Sequence, residues 1–417
     1  MRDKADPVAP SGRKRGTVAE FAPYILTVAA VVLAWQVVSQ PLMQRAPIDF
    51  AIGIAPSSPL VLRRAAEAEL AANRADNAAA LGRDALARAP FDVRALRIVG
   101  LTEARAGRLS SADDILTLAG NWSLRDDPTH AWLVEHRLRR GDYVSSFAHA
   151  DTLIRRREDI RPQVFGLFTL AASTDRERAL PVVASLVAAR PPWRQSYLDN
   201  LYTSTEGLQV AAALAVMLQS GPAPLTNVEL RQFYMQLIDK GQVPALREVR
   251  QRLNRPASAT EVTNGGFGDP SAPEPFQWRL DQTAGVIAEI VPDELRPSDP
   301  ALRVEYDGFS PSRIAEQLMF LSAGRYRLTA EARAEAGDPG ARLAWTVTCA
   351  PGDLRILSAP SAPPAAAAWT PRSSDFTVPQ ACPAQWLRLE TTASDRRAPV
   401  VAWFDRVVVT PFPSQVN

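Results

Sequence analysis

The chain has 417 residues, of which 22% are charged, with 47 Lys and Arg against 45 Asp and Glu and a formal net charge of +2. This balance argues against nucleic acid as a principal partner, because such binding needs an excess of basic residues. The length exceeds that of a usual single domain, and 35 prolines offer many boundaries, so we expect a multi-domain protein.

The N-terminal region has a basic arm followed by a gap without charge that runs from Phe21 to Gln44. Residues 21–38 are almost wholly apolar, and eighteen helical residues span about 27 Å, close to the bilayer's hydrocarbon thickness of about 30 Å. We therefore predict a cytoplasmic arm over 1–20, a transmembrane signal anchor over 21–38 and a linker over 39–57. A cleaved signal peptide is the alternative, but the sequence after the apolar stretch matches a cleavage site poorly.

The orientation follows from the basic arm, which is typical of a segment retained in the cytoplasm. It predicts a single-pass protein of the inner (cytoplasmic) membrane that contacts the lipid bilayer through residues 21–38 and has its bulk in the periplasm.

Residues 58–255 are rich in Ala and Leu with helical spacing, and a 34-residue period can be counted in them. Gly107 and Gly141 are one period apart at equivalent turns, and Asn73 and Asp175 lie one period further out on either side. A turn glycine accepts the positive φ that ends a helix. The period predicts about five to six helix pairs.

The repeat resembles the tetratricopeptide family. Small residues occupy the eighth position (Ala66 and Gly100), and alanine stands at the tight helix crossing (Ala78 and Ala112), where Ser146 departs from the pattern. The resemblance implies an α-solenoid whose concave surface holds a protein or peptide partner.

Candidate partner-binding residues in this array are Arg194, Asn200 and Tyr202, polar groups that we expect on the inner helices. Trp122 lies near a helix end, and we expect it to pack in the core or between repeats rather than to contact a ligand.

Beyond residue 256 the helical period gives way to alternation, with apolar residues at every second position of several short segments. This pattern predicts an antiparallel β-sandwich over 256–417. The segments are 285–290, 301–306, 324–330, 343–349 and 385–390.

The sandwich resembles the jelly roll of carbohydrate-binding modules, also called galactose-binding-like. An early Asn264-Gly265-Gly266-Phe267 turn, a Gly324-Arg325-Tyr326-Arg327-Leu328 strand and a closing Trp403-Phe404-Asp405-Arg406-Val407 strand carry the resemblance. It implies glycan recognition.

A sugar stacks its apolar face on aromatic rings and hydrogen bonds its hydroxyls to planar polar side chains. The glycan-binding candidates are Trp278, Trp369, Tyr306, Gln277 and Arg279. Packing in the core is the alternative for the two tryptophans among them. We expect core positions for the tryptophans of three later strands, Trp345, Trp386 and Trp403.

Cys349 and Cys382 are the only cysteines, and the predicted topology places both outside the cytoplasm, which favours a disulfide over two buried thiols. Its loop would stabilise the domain by about 3 to 4 kcal/mol. The resemblance also implies a possible structural calcium. Asp405 matches the acidic position in the closing strand. The acidic position after the opening turn is occupied by Gly268, and Asp269 stands one place later. No other cofactor is expected.

The sequence has no Gly-x-Ser-x-Gly, His-Glu-x-x-His or phosphate-binding glycine loop, so we predict a non-enzymatic protein. The fold class is α plus β, with one transmembrane helix, a solenoid of tetratricopeptide-like helix pairs and a C-terminal jelly roll. The predicted function is a membrane-anchored periplasmic scaffold in envelope or exopolysaccharide assembly or export, in which the repeats hold a protein and the sandwich a glycan. The alternative is a protein–protein adaptor in a membrane complex without sugar binding.

Overall fold

The computed structural model describes residues 18–253, 262–309, 311–362, 367–392 and 397–412. The chain divides into two compact units, with the boundary between Leu153 and Ile154. The described part of the first unit is helical. Its helices are α1 (Val18–Arg45), α2 (Ile48–Ile54), α3 (Pro59–Ala71), α4 (Ala75–Arg88), α5 (Val93–Arg105), α6 (Leu109–Trp122), α7 (Asp127–Arg139) and α8 (Tyr143–Ile154), the last of which ends at the boundary.

The second unit contains further helices followed by the β-sandwich. After a 3₁₀ turn (Glu158–Ile160), the helices are α9 (Arg161–Thr174), α10 (Arg176–Ala188), α11 (Arg194–Leu201), α12 (Thr205–Gln219), α13 (Asn227–Asp239) and α14 (Val243–Arg252), and a short α15 (Pro339–Arg342) lies among the strands. The strands are β1 (Arg279–Leu280), β2 (Val286–Asp293), β3 (Arg296–Tyr306), β4 (Arg313–Met319), β5 (Gly324–Ala336), β6 (Leu343–Ala350), β7 (Arg355–Pro360), β8 (Thr370–Val378), β9 (Ala384–Thr391) and β10 (Val400–Pro411).

The prediction of a transmembrane helix over 21–38 is wrong. Within the described part of the chain, no helix combines the length and the apolar character that crossing a bilayer requires. Helix α1 (Val18–Arg45) covers the predicted span. The inner-membrane location, the bilayer contact and the periplasmic bulk were inferred from that span and are corrected with it.

The turns within the helix pairs of the first unit follow the 34-residue period. Asn73, Gly107 and Gly141 take positive φ values of 60°, 78° and 69°. Each is followed by a residue whose backbone N–H reaches five residues back to a helix carbonyl, as from Arg108 to Glu103 at 3.0 Å. These are the bonds that close a helix end after a left-handed residue. Asp175 differs, with φ of −127°, so the regular turn does not recur there.

Small residues stand where the paired helices cross. Ala66, Ala78 and Ala112 are fully buried, and a Cβ on Gly100 would lie 2.6 Å from Cγ of Leu116. Ser146 fits the same kind of position because its hydroxyl donates to the Val134 carbonyl at 2.9 Å. The described residues thus form a helical array, and its membership of the tetratricopeptide family stays a prediction.

The antiparallel β-sandwich is confirmed. Sheet A has the strand order β1-β4-β9-β6-β7 and sheet B has the order β2-β3-β10-β5-β8. Their facing side chains form one core that includes Trp278, Trp345 and Phe404. The predicted disulfide is also confirmed, since Cys349 and Cys382 are bonded.

The last helix pair packs against the sandwich within the second unit. The Arg250 guanidinium lies 3.9 Å from the ring centroid of Phe276, and the Tyr234 ring meets the same ring edge-on at 5.4 Å. Arg247 donates to the Pro383 carbonyl at 3.2 Å. Helices α13 and α14 are therefore held against one end of the sandwich.

Candidate functional site

The outward face of sheet A carries a tryptophan and charged side chains on its central strand, β9. Leu387 and Leu389 belong to the core. Because side chains alternate along a strand, Trp386, Arg388 and Glu390 lie on the opposite face. Trp386 is only 8% exposed, so the expectation that it is buried is confirmed, although it lies on the side of the sheet away from the core between the two sheets. The alternation of residues 385–390 already contained the signal, since two leucines fill the inward positions.

A row of polar side chains crosses this face from strand to strand. The register pairs Arg279 with Glu316, Glu316 with Arg388, and Arg388 with Thr346. Both guanidiniums bind the Glu316 carboxylate, with N–O distances of 2.9 Å from Arg279 and 2.9 Å from Arg388. The row is a fixed arrangement of planar hydrogen-bonding groups, and of its members sequence reasoning had selected only Arg279.

The centre of this row is buried although it faces outward. Arg388 is 7% exposed and Glu316 is 4% exposed, and Arg388 also donates to the Thr348 hydroxyl at 2.8 Å. The hydroxyl of Thr346 is buried and has no hydrogen-bond partner among the described residues. The ring of Trp386 lies beside Arg388, with 5.4 Å between the ring centroid and the guanidinium. Buried polar groups are normally paired, so the hydroxyl of Thr346, which is 1% exposed, is a hydrogen-bonding group that the described residues leave unused.

The outward face of sheet B also carries a tryptophan, but there the ring is covered. Trp403 has the guanidiniums of Arg303 and Arg333 at 5.7 Å and 5.3 Å from its ring centroid, and its indole N–H donates to Glu335 at 2.7 Å. Arg333 in turn binds Asp293 at 2.6 Å. Most polar groups of this face pair with one another, although Nε of Arg333 is buried without a partner among the described residues.

Trp369, a glycan-binding candidate, is part of the same network on sheet B. It is half-buried, the Arg296 guanidinium lies 4.4 Å from its ring centroid, and its indole N–H donates to Asp293 at 2.7 Å. An arginine therefore occupies the position over the ring that a sugar would need.

Two other glycan-binding candidates, Trp278 and Tyr306, lie in the core, and Gln277 stabilises a turn through hydrogen bonds. Trp278 and Tyr306 are 5% and 2% exposed, and the Trp278 indole N–H donates to the Asn264 carbonyl at 3.0 Å. The Gln277 amide donates to the Asp269 carbonyl at 2.8 Å and its oxygen accepts from Asn264 at 3.2 Å. The structure therefore does not bring the five glycan-binding candidates together.

The residues proposed for calcium do not fit that ion. Asp405 is buried, and its carboxylate accepts from Arg296 at 3.0 Å and from the backbone N–H of Arg406 at 2.6 Å. Burial is the main reason that the pKa of Asp405 is raised. Asp269 instead accepts from the Ser271 backbone at 2.9 Å. Among the described residues no group of three His, Cys, Asp or Glu side chains is arranged as metal ligands, and the Arg296 guanidinium already supplies the positive charge.

The partner-binding candidates lie mostly inside the second unit. Arg194 is buried in an ion pair with Glu229 at 2.7 Å, and Tyr202 stacks on Phe233 with 5.9 Å between ring centroids. Burial raises the pKa of Tyr202. Asn200 is half-buried. Arg194 and Tyr202 therefore act as packing residues in this fold.

Comparison with known proteins gives neighbours of known structure only. No protein-family model matches the chain, and no curated protein matches it. Solved structures similar to the C-terminal part include a family 4 carbohydrate-binding module (16% identity, 36% of this chain and 99% of that chain, TM-score 0.26). A second is the family 61 module TmCBM61 in complex with β-1,4-galactotriose (16% identity, 37% of this chain and 100% of that chain, TM-score 0.28). The human IFIT1 dimer with PPP-AAAA is also similar (15% identity, 50% of this chain and 49% of that chain, TM-score 0.27).

Proposed function

We propose that the protein is a non-enzymatic glycan-binding protein whose sandwich contacts sugar on the outward face of sheet A. The observation that carries the proposal is the Arg279–Glu316–Arg388 row beside Trp386, with Arg279 as its partly exposed end. Trp386 is 8% exposed, and the hydroxyl of Thr346 has no partner among the described residues. Sugar hydroxyls both donate and accept hydrogen bonds, so guanidinium, carboxylate and hydroxyl groups suit them, and an indole suits the apolar face of the ring.

Sheet A is favoured over sheet B because of what each tryptophan contacts. On sheet B both Trp403 and Trp369 have guanidiniums over their rings and carboxylates on their indole nitrogens. On sheet A the Arg388 guanidinium lies over the ring of Trp386, and the Thr346 hydroxyl in the same row has no partner among the described residues. Polar groups are ion-paired on both faces, and the Thr346 hydroxyl is the group on sheet A that a sugar hydroxyl would satisfy.

The carboxylates on the sheet A face argue for binding without hydrolysis. Glycoside cleavage needs one carboxyl group with a raised pKa as an acid and a second as base or nucleophile. Glu316 is bound by two guanidiniums, and Glu390 is bound by Arg355 at 3.0 Å. Both carboxylates are therefore already held in ion pairs with arginines.

The test is calorimetric titration of the full chain with soluble β-1,4-galactan, xylan and β-glucan. We expect Arg279→Ala to weaken binding about ten- to hundredfold, the value of a hydrogen bond to a charged group. Arg303→Ala is the matched control, because Arg303 is also a partly exposed outward arginine paired with carboxylates, but on sheet B. We expect it to leave binding unchanged.

Thr346→Val is a second test, one that separates binding from folding. The change keeps the shape and removes a buried hydroxyl that bonds to none of the described residues, so thermal stability should stay the same or rise. Affinity should fall about three- to tenfold if that hydroxyl bonds to sugar. Lack of binding to every polysaccharide, or equal losses from Arg279→Ala and Arg303→Ala, would contradict the proposal and favour a protein-interaction role for the sandwich.

A further inference from the structure

An exposed pair of aromatic rings lies at one edge of the first unit. Phe91 is 82% exposed and Trp122 is 43% exposed. Their ring centroids are 5.6 Å apart and the planes are tilted by 50°. Phe91 immediately precedes Asp92, the N-cap of α5, and Trp122 is the last residue of α6. The two rings therefore meet where α5 begins and α6 ends.

This pair is more than two isolated surface residues. Leu124, in the loop after Trp122, is also largely exposed, so the apolar surface continues along the loop. Single exposed apolar residues are common, but contiguous exposed apolar surface marks binding sites. The expectation that Trp122 packs in the core or between repeats does not account for its exposed surface.

A polar cavity of about 460 Å³ adjoins the rings, and Phe91 forms part of its wall. Arg63 binds Asp92 at 3.2 Å, and Arg97 binds both Asp126 and Glu67, the latter at 2.9 Å. Arg63 and Arg97 are one 34-residue period apart, as are Asp92 and Asp126, so the same ion pair occurs twice. Arg63, Arg97 and their carboxylate partners are thus held in place before any ligand arrives.

The charges of the cavity narrow the class of ligand. Four arginines and four carboxylates line it, so its formal charges cancel. A site for phosphate or nucleic acid needs excess positive charge, which is absent from this lining. The mostly charged lining is also unsuited to an apolar side chain, because buried charges need polar partners. A neutral ligand with many hydroxyls and an apolar ring face meets both conditions.

We propose that this edge of the first unit is a second glycan-binding site, in which a sugar stacks on Phe91 and Trp122 and its hydroxyls bond to the arginines and carboxylates of the cavity. The site goes beyond the sandwich site and does not depend on it, because it lies in the other compact unit. Two sites on one chain would raise the affinity for a long polysaccharide above that of either site, provided that one glycan reaches both.

The test uses hexasaccharides of β-1,4-galactan, xylan and β-glucan, titrated into the full chain by calorimetry, with NMR of the Trp122 indole N–H assigned through Trp122→Phe. We expect the Trp122 resonance to shift with at least one of these sugars. Phe91→Ala and Trp122→Ala should each weaken this site about tenfold, the upper range for an aromatic contact. Phe309→Ala is the matched control, since Phe309 is also an exposed ring and lies in the second unit.

The outcomes separate the two sites. Loss of the Trp122 shift in Phe91→Ala, with the shift retained in Arg279→Ala, would support the second site even if the sandwich bound no sugar. A Trp122 resonance unmoved by every hexasaccharide would overturn the inference. So would a shift produced only by a proline-rich peptide, which also stacks on aromatic grooves, because the edge would then bind protein. Circular dichroism checks that both exposed-ring variants are folded.

Discussion

Replacing Arg194 with alanine should destabilise the second unit strongly. The guanidinium binds both oxygens of Glu229, at 2.7 Å and 2.9 Å, and donates to the carbonyls of Val187 at 3.1 Å and Pro224 at 3.3 Å. Both side chains of the pair are about 90% buried. Removing the arginine leaves a buried carboxylate that accepts from the backbone N–H of Thr226 at 2.8 Å.

The expected loss is about 3 to 5 kcal/mol in the free energy of unfolding, the usual result of stranding one member of a buried ion pair. Urea unfolding of the full chain, followed by circular dichroism, measures it. Arg178→Ala is the control, because Arg178 is 63% exposed and its pair with Asp175 should contribute less than about 1 kcal/mol. Replacing Arg194 by Met together with Glu229 by Leu should recover most of the loss, since apolar groups leave no charge unpaired.

The pH dependence of the free energy of unfolding gives a second check on the Arg194–Glu229 pair. Burial pushes the pKa of Glu229 up, but hydrogen bonds from Arg194 and Thr226 outweigh burial and hold the pKa below its usual value. This contribution is therefore present above an ordinary glutamate pKa of about 4.3 and is lost as the pH falls toward the lowered value. Without Arg194, burial dominates and the pKa rises, so the difference between variant and wild type should shrink on acidification. A loss below about 1 kcal/mol, or one independent of pH, would refute the reasoning.

Two further predictions concern the other unit and the disulfide. Desolvation, with help from His130 and Arg137, lowers the pKa of His149 to about 4. As the pH falls from about 6.5 to 4, His149 takes up a proton in the unfolded chain but not in the folded chain. The free energy of unfolding of the first unit should therefore fall by about 1 to 2 kcal/mol over this range, after allowance for solvent screening. His149→Gln should flatten this slope, and an unchanged slope would contradict the assignment. Replacing Cys349 and Cys382 by serine should lower the stability of the sandwich by about 3 to 4 kcal/mol in thermal or urea unfolding, because the bond spans 33 positions, and reductant should destabilise only the wild type.

Local features were predictable where one residue determines the backbone. Gly107 and Gly141 mark helix-pair turns because a left-handed φ suits glycine, and Asn73 is a common substitute. The alternating strands were likewise predictable from a period of two. It was harder to predict which face of each sheet could contact a ligand. Alternation shows that Trp386 and Leu387 point to opposite sides of the sheet but does not show which side is the core. Counting the leucines on each side of β9 would have resolved that case.

Ion pairs were the least predictable part, since their members are distant in sequence. Asp405 matches an acidic position of the closing strand in sugar-binding jelly rolls, and on sequence alone a calcium ion is a reasonable partner. The side chain that neutralises it is Arg296, 109 positions away at the start of β3, which also binds Glu331 and lies over Trp369. One guanidinium thus occupies both the place expected for a cation and the ring face expected for a sugar. The position of Arg296 therefore argues against both a calcium ion at Asp405 and a sugar on Trp369, and it leaves sheet A as the better candidate for glycan contact.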